Sequence, residues 1–195
     1  FQVLDLAQSD DGRVYVEQRS APIQAMPVLF QGLGGVNLAV GNIDGDGDNE
    51  IIAATAGDPE GANNPLLKNF IRIFETSSDE PGAGLLVSAV SGPMQVFGAS
   101  LNPSGGLEVA AANVDEDAAD EILVSTQAII GLNETTGEVS CSYPAEQCYV
   151  SGLNIEVDED GSIAGFSPAL PRFQPFTGDY NPLSGAVNVE VYPVK

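Results

Sequence analysis

A gapless internal repeat constrains this chain more than any other feature. Gly34–Asp46 aligns with Gly105–Asp117, and Glu50–Thr55 aligns with Glu121–Thr126, all at one offset of 71 residues. A fainter third start, Gly185–Val191, has the same apolar alternation but ends before any acidic stretch. A period of this size implies supersecondary units that bury their apolar faces against one another. The 195 residues, 43% of them hydrophobic, suffice for a real core in one domain.

The units read as strands. Gly (22) and Pro (13) are scattered along the chain and interrupt any long helical stripe. Short apolar or alternating runs recur between them. They are Val3–Leu6, Arg13–Gln18, Pro27–Phe30, Val36–Gly41, Glu50–Thr55, Phe70–Glu75, Leu85–Val90, Met94–Gly98, Leu107–Ala112, Glu121–Thr126, Asn154–Val157, Ser162–Phe166 and Val187–Tyr192. Ile51–Ala54 and Ile122–Val124 are continuous, as in strands buried on both faces. Ser9–Gly12 and Asp158–Gly161 read as hairpin turns. The expected fold is all-β, with little or no helix. One domain is expected over 1–195, with strands in 1–26, one repeat over about 27–93, a second over about 94–170 and a partial third over about 171–195.

Between the two strands of each repeat lies an acidic loop. In Asn42–Glu50, oxygen-bearing side chains fall at positions 1, 3, 5 and 9, as Asn42, Asp44, Asp46 and Glu50, with Asp48 offering its backbone carbonyl. Alternate placement in a tight loop turns such groups toward one point, an all-oxygen cage suited to Ca²⁺. An EF-hand is excluded, because its closing Glu at position 12 is replaced by Ala53 in a strand-like run. A plain solvated turn would leave four carboxylates repelling one another. The second loop keeps Asn113, Asp115, Asp117 and Glu121, with the Ala119 carbonyl, but puts Glu116 and Ala118 where the first has Gly45 and Gly47. A weaker site is expected there, because Gly alone adopts positive φ without strain.

The pattern of apolar strand, Asn/Asp-x-Asp-x-Asp-Gly-x-x-Glu, apolar strand resembles the FG-GAP/VCBS repeat of integrin α-chain β-propellers and secreted microbial proteins. Asn42–Glu50 fits it well, and Asn113–Glu121 fits apart from its glycines. Phe70–Glu75 is similar to that family's outer strand, and the resemblance covers about residues 27–130. It implies four-stranded antiparallel blades, a calcium ion in each loop, and extracellular work in adhesion, ligand binding or scaffolding. The chain is about half the length of a full propeller of that family, which implies a fragment, a small assembly of blades or a subunit completed by neighbours.

Charge narrows the function classes. Six Lys and Arg stand against 28 Asp and Glu, for a net charge of −22. Such a surface repels nucleic acid and anionic lipid, and no apolar run is long enough for a membrane helix. There is no His, which removes imidazole bases and ordinary zinc sites. The dense carboxylate clusters sit at metal-ligand spacing or in turns, so the chain reads as non-enzymatic rather than as a hydrolase. A glycan- or protein-binding module is the alternative, though without Trp a sugar-stacking platform is not evident. Cys141 and Cys148 read as a small-loop disulfide in an oxidising compartment, with two unrelated free thiols as the other reading. Asn133-Glu134-Thr135 is a glycosylation sequon. These features point to an extracellular or cell-surface location. The start at Phe1, without Met or a basic-then-apolar leader, fits a processed or excised chain. The partial third repeat and the unmatched N-terminal strands predict self-association through sheet edges. The prolines and phenylalanines of Phe166–Phe176 read as a loop over the core.

Overall fold

The computed structural model describes residues 1–9, 11–27, 35–56, 69–77, 86–97, 106–115, 117–126, 130–132, 139–141, 149–159 and 162–173. The described residues form an all-β fold without helix, and every strand pairing is antiparallel. β1 (Leu4–Gln8) and β2 (Val14–Gln18) form a hairpin. Its turn is closed by the Gly12 N–H on the Ser9 carbonyl at 2.8 Å, with Gly12 at φ 83°.

Two four-stranded meanders carry the repeat. The first runs β3 (Val36–Gly41), β4 (Glu50–Thr55), β5 (Phe70–Ser77) and β6 (Leu86–Ala89), with β7 (Met94–Gln95) also pairing with β5. The second runs β8 (Leu107–Ala112), β9 (Glu121–Thr126), β12 (Val150–Val157) and β13 (Ile163–Phe173). A hairpin of β10 (Ile130–Leu132) and β11 (Val139–Cys141) lies between β9 and β12 in sequence. The repeat extends to the register. Val36 pairs with Thr55 and Gly41 with Glu50, while Leu107 pairs with Thr126 and Ala112 with Glu121. Each terminal threonine also holds the next strand: Thr55 Oγ1 accepts from the Phe70 N–H at 3.2 Å, and Thr126 Oγ1 from the Tyr149 N–H at 3.0 Å.

The core lies between the two meanders. Ile52, Ala54, Ile71 and Ile73 of the first pack with Leu107, Val109, Ile122, Val124 and Leu153 of the second. The opposite face of the first sheet, with Ile51, Ala53 and Phe74, is covered by Ala25 and Met26, flanked by Phe1, Val3 and Ile23. Burial on both faces explains why β4 is apolar without alternation. The sheets approach closely where β3 meets β8: a Cβ on Gly41 would lie 2.5 Å from the Ala111 Cβ. Asn37 Nδ2 donates to the Leu107 carbonyl across the same boundary at 2.6 Å.

Two expectations need correction, and one hairpin was not expected. Pro168 and Pro171 belong to strand β13, not to a loop, and Pro168 pairs with Leu153 beside a register shift. β13 is the edge of its sheet, where a missing N–H costs least. The run at Met94 yields only two paired residues, Met94–Gln95, and these join the first sheet. β10 and β11 had no strand expectation. The runs at 28–30 and 187–192, Asn133 and Cys148 lie outside the described residues, as does the side chain of Cys141.

Candidate metal centres

Each acidic loop joins two adjacent strands, so its ends are fixed by a complete antiparallel ladder. Within the loops the carboxylates organise the backbone in the same order. The Asp46 N–H donates to Asp44 Oδ1 at 3.0 Å, and the Asp48 N–H to Asp46 Oδ1 at 2.8 Å. In the second loop the Asp117 N–H donates to Asp115 Oδ1 at 3.2 Å, and the Ala119 N–H to Asp117 Oδ1 at 2.7 Å. These are Asx turns in series, which coil the chain around one side. Gly45 and Gly47 take φ of 78° and 103°, the left-handed conformation expected for positions 4 and 6 of the first loop.

The closing glutamates are the most informative groups. Glu50 is 1% exposed and Glu121 0%. One oxygen of each is held, Glu50 Oε2 by the Ile43 N–H at 2.8 Å and Glu121 Oε2 by the Val114 N–H at 2.6 Å. The other, Oε1 in both, is buried with no hydrogen-bond partner. A buried carboxylate oxygen left without a partner carries a desolvation penalty of about 1–3 kcal/mol or more. Desolvation accordingly lifts Glu50 from 4.5 to about 7, reinforced by Asp44, Glu75 and Asp46 and opposed by the Ile43 hydrogen bond. Glu121 moves in the same direction for the same leading cause, with Asp115 and Asp117 adding to it. Twice, at equivalent positions, a costly group is kept where a cation would satisfy it.

The carboxylates converge on those glutamates. In the first site, oxygens of Asp44, Glu50 and Glu75 lie within 4.8 Å of one another; in the second, those of Asp115, Asp117 and Glu121 do. Two groups of acidic residues are therefore placed to hold a metal ion. Asp46 is not in the first trio, although its counterpart Asp117 is in the second. The Asn42 Oδ1 accepts from the Gly47 N–H at 3.2 Å, whereas Asn113 turns its Nδ2 onto the Asp117 carbonyl at 2.5 Å. Asp48 is exposed. Glu75 was missed by the sequence reading because it lies on β5, outside the loop. The signal was present: Phe70–Glu75 was read as a strand, and pairing it with β4 brings its acidic end to the loop.

Asp120, at position 8 of the second loop, was also missed. Its N–H donates to the Asn42 carbonyl at 2.7 Å, and its Oδ2 accepts from the Asn42 N–H at 3.0 Å. Both backbone groups of the first loop's opening residue are thus held by the second loop. A Cβ on Gly45 would lie 3.6 Å from Ala118 and Ala119, so the loops are packed neighbours. Comparisons with protein-family models, with curated proteins and with solved structures find no match.

Proposed function

We propose that the chain is a non-enzymatic, calcium-stabilised β-repeat module. The observation that carries this reading is the pair of buried, unpartnered oxygens, Glu50 Oε1 and Glu121 Oε1, each on the closing glutamate of a duplicated loop and each glutamate grouped with two further carboxylates. The donors are all hard oxygens, which favours Ca²⁺ over softer transition metals. Glu50 and Glu121, with Asp44, Asp115 and Asp117, are the side chains that would hold the ions. The loop positions of Asn42, Asp46 and Asn113, with the Asp48 and Ala119 carbonyls, would complete the coordination. The metal's contribution is structural: it neutralises each loop and ties two strands at one end of a sheet.

The setting we propose is extracellular, where calcium suits weak modular sites of about 10⁻⁴–10⁻³ M. There the module would act in an adhesive or structural assembly, joined to neighbouring copies through sheet edges. Leu4, Leu6, Val14 and Val16 are exposed on the β1–β2 hairpin, in keeping with such contacts. Isothermal titration of the chelated protein with CaCl₂ tests the metal reading. Two binding events per chain are expected, each lost when its closing glutamate is changed, by Glu50→Gln or Glu121→Gln. Absence of binding at millimolar calcium overturns it.

A further inference from the structure

We infer that the first site is closed by a ligand from outside its loop, the Glu75 carboxylate, and that Asn154 takes this place in the second site. The inference rests on the calcium reading and concerns how the two copies differ.

The placement follows from strand register. On β4 and β5 the last paired residues are Ile51 and Phe74, so the next opposed pair is Glu50 and Glu75. The Thr76 Oγ1 bond to the Asn49 carbonyl, 2.8 Å, continues the strands' contact past that point. On β9 and β12 the corresponding pair is Ile122 and Leu153, and the next opposed residues are Glu121 and Asn154. Directly opposed residues share a sheet face. Glu75 and Asn154 therefore stand at one structural position, beside the buried closing glutamate of each copy.

At the first site the placement becomes contact, since Glu75 offers an oxygen within 4.8 Å of oxygens on Asp44 and Glu50. Its Oε1 accepts only the adjacent Thr76 N–H, at 3.1 Å. Among the described residues the ion pairs are Arg13–Asp11 and Arg19–Glu17, neither of which reaches this loop. A further carboxylate against Asp44 and Glu50 is repulsive without a cation and favourable with one. The buried Glu50 Oε1 independently marks the point that the cation would occupy. With Asp46 brought in on binding, as its counterpart Asp117 already is, Glu75 gives the first site four carboxylates against three in its copy, where a neutral amide stands. Cation affinity in oxygen cages follows the number of charged ligands. The first site is accordingly the tighter, and the margin should widen for a trivalent ion such as Tb³⁺.

Calcium and Tb³⁺ titrations of the full chain and of two variants, Glu75→Gln and Asn154→Glu, test this, with melting in excess EGTA as a second readout. Glu75→Gln should weaken the tighter site by about tenfold or more, leave the weaker site alone, and raise the melting temperature in EGTA by relieving repulsion. Asn154→Glu should tighten the weaker site and lower the melting temperature in EGTA. A wild-type chain that binds no calcium overturns the calcium reading itself. Two wild-type sites with the tighter one unmoved by Glu75→Gln overturn the role of Glu75 alone. So does a Glu75→Gln chain that melts lower both with and without calcium, since that marks a merely structural residue.

Discussion

The two acidic loops share a register, a ladder of Asx turns and a buried glutamate with one unpartnered oxygen, yet they are built to different tolerances. The first has glycine at φ 78° and 103°, a carboxylate arriving from β5, and an opening residue clamped by its neighbour. The second has Glu116 and Ala118 in place of those glycines, and an amide, Asn154, opposite its closing glutamate. What the copies share is what the fold requires of a loop between paired strands. What differs, on the calcium reading proposed above, is how much cation affinity is added to it.

The largest expected effect is on the feature both loops share. If each holds calcium, excess EGTA should remove about 1.4 kcal/mol per site at tenfold saturation. For a chain of this size, losing both ions together is a fall of about 6–11 °C in melting temperature, read by calorimetry. An unchanged melting temperature would leave two buried orphan oxygens with no role in stability.

Gly41→Ala comes next and separates the copies by sterics alone. The new methyl would sit 2.5 Å from the Ala111 Cβ and 2.9 Å from Asp120 Oδ2, so β3 and β8 must part. Overpacking of this kind costs about 1–3 kcal/mol. The equivalent residue of the second copy, Ala112, already carries that methyl. Ala112→Gly should therefore cost only the backbone entropy of glycine, about 0.5–1 kcal/mol. Chemical denaturation of the two variants measures the contrast, and equal losses would mean that the β3–β8 approach carries no packing constraint.

Acidification tests the electrostatics. In the metal-free protein Glu50 is raised to about 7 and Glu121 is raised as well, chiefly by burial. A carboxylate with a folded pKa above its unfolded value contributes most below the unfolded value of 4.5, and that contribution is lost as pH rises through about 7. Denaturation in EGTA should thus show the protein more stable at pH 5 than at pH 8, by on the order of 1–3 kcal/mol from Glu50. Saturating calcium should reverse the trend, because the ion requires ionised ligands. Stability in EGTA that rises with pH would contradict the burial-driven shift.

The sequence made the repeated half of this molecule legible. The ends of β3, β4, β8 and β9 coincide with the runs at Val36–Gly41, Glu50–Thr55, Leu107–Ala112 and Glu121–Thr126, since two aligned copies correct each other's boundaries. Legibility fell where local signals misled. β12 begins at Val150, but Gly152 masks its first half; β13 continues to Phe173 through prolines that its edge position tolerates. At the site, the loop's oxygen-bearing residues follow a spacing rule, whereas Glu75 and Asp120 enter through pairing and packing. No local pattern encodes those.

Asp120→Ala should give the smallest effect and the sharpest one. Asp120 belongs to the second loop, yet its Oδ2 accepts from the Asn42 N–H of the first at 3.0 Å. Its own N–H bond to the Asn42 carbonyl, 2.7 Å, survives the substitution. Only the side-chain half of the clamp is lost, worth about 1 kcal/mol net. If that bond holds Asn42 in its liganding position, its loss should weaken the first site about fivefold. The second site, whose acidic trio is Asp115, Asp117 and Glu121, should bind as before. The measurement is a two-site calcium titration, with Asp120→Asn as the control that keeps an acceptor oxygen. Weakening confined to the second site would mean that Asp120 serves its own loop, and that the two centres are neighbours without communication.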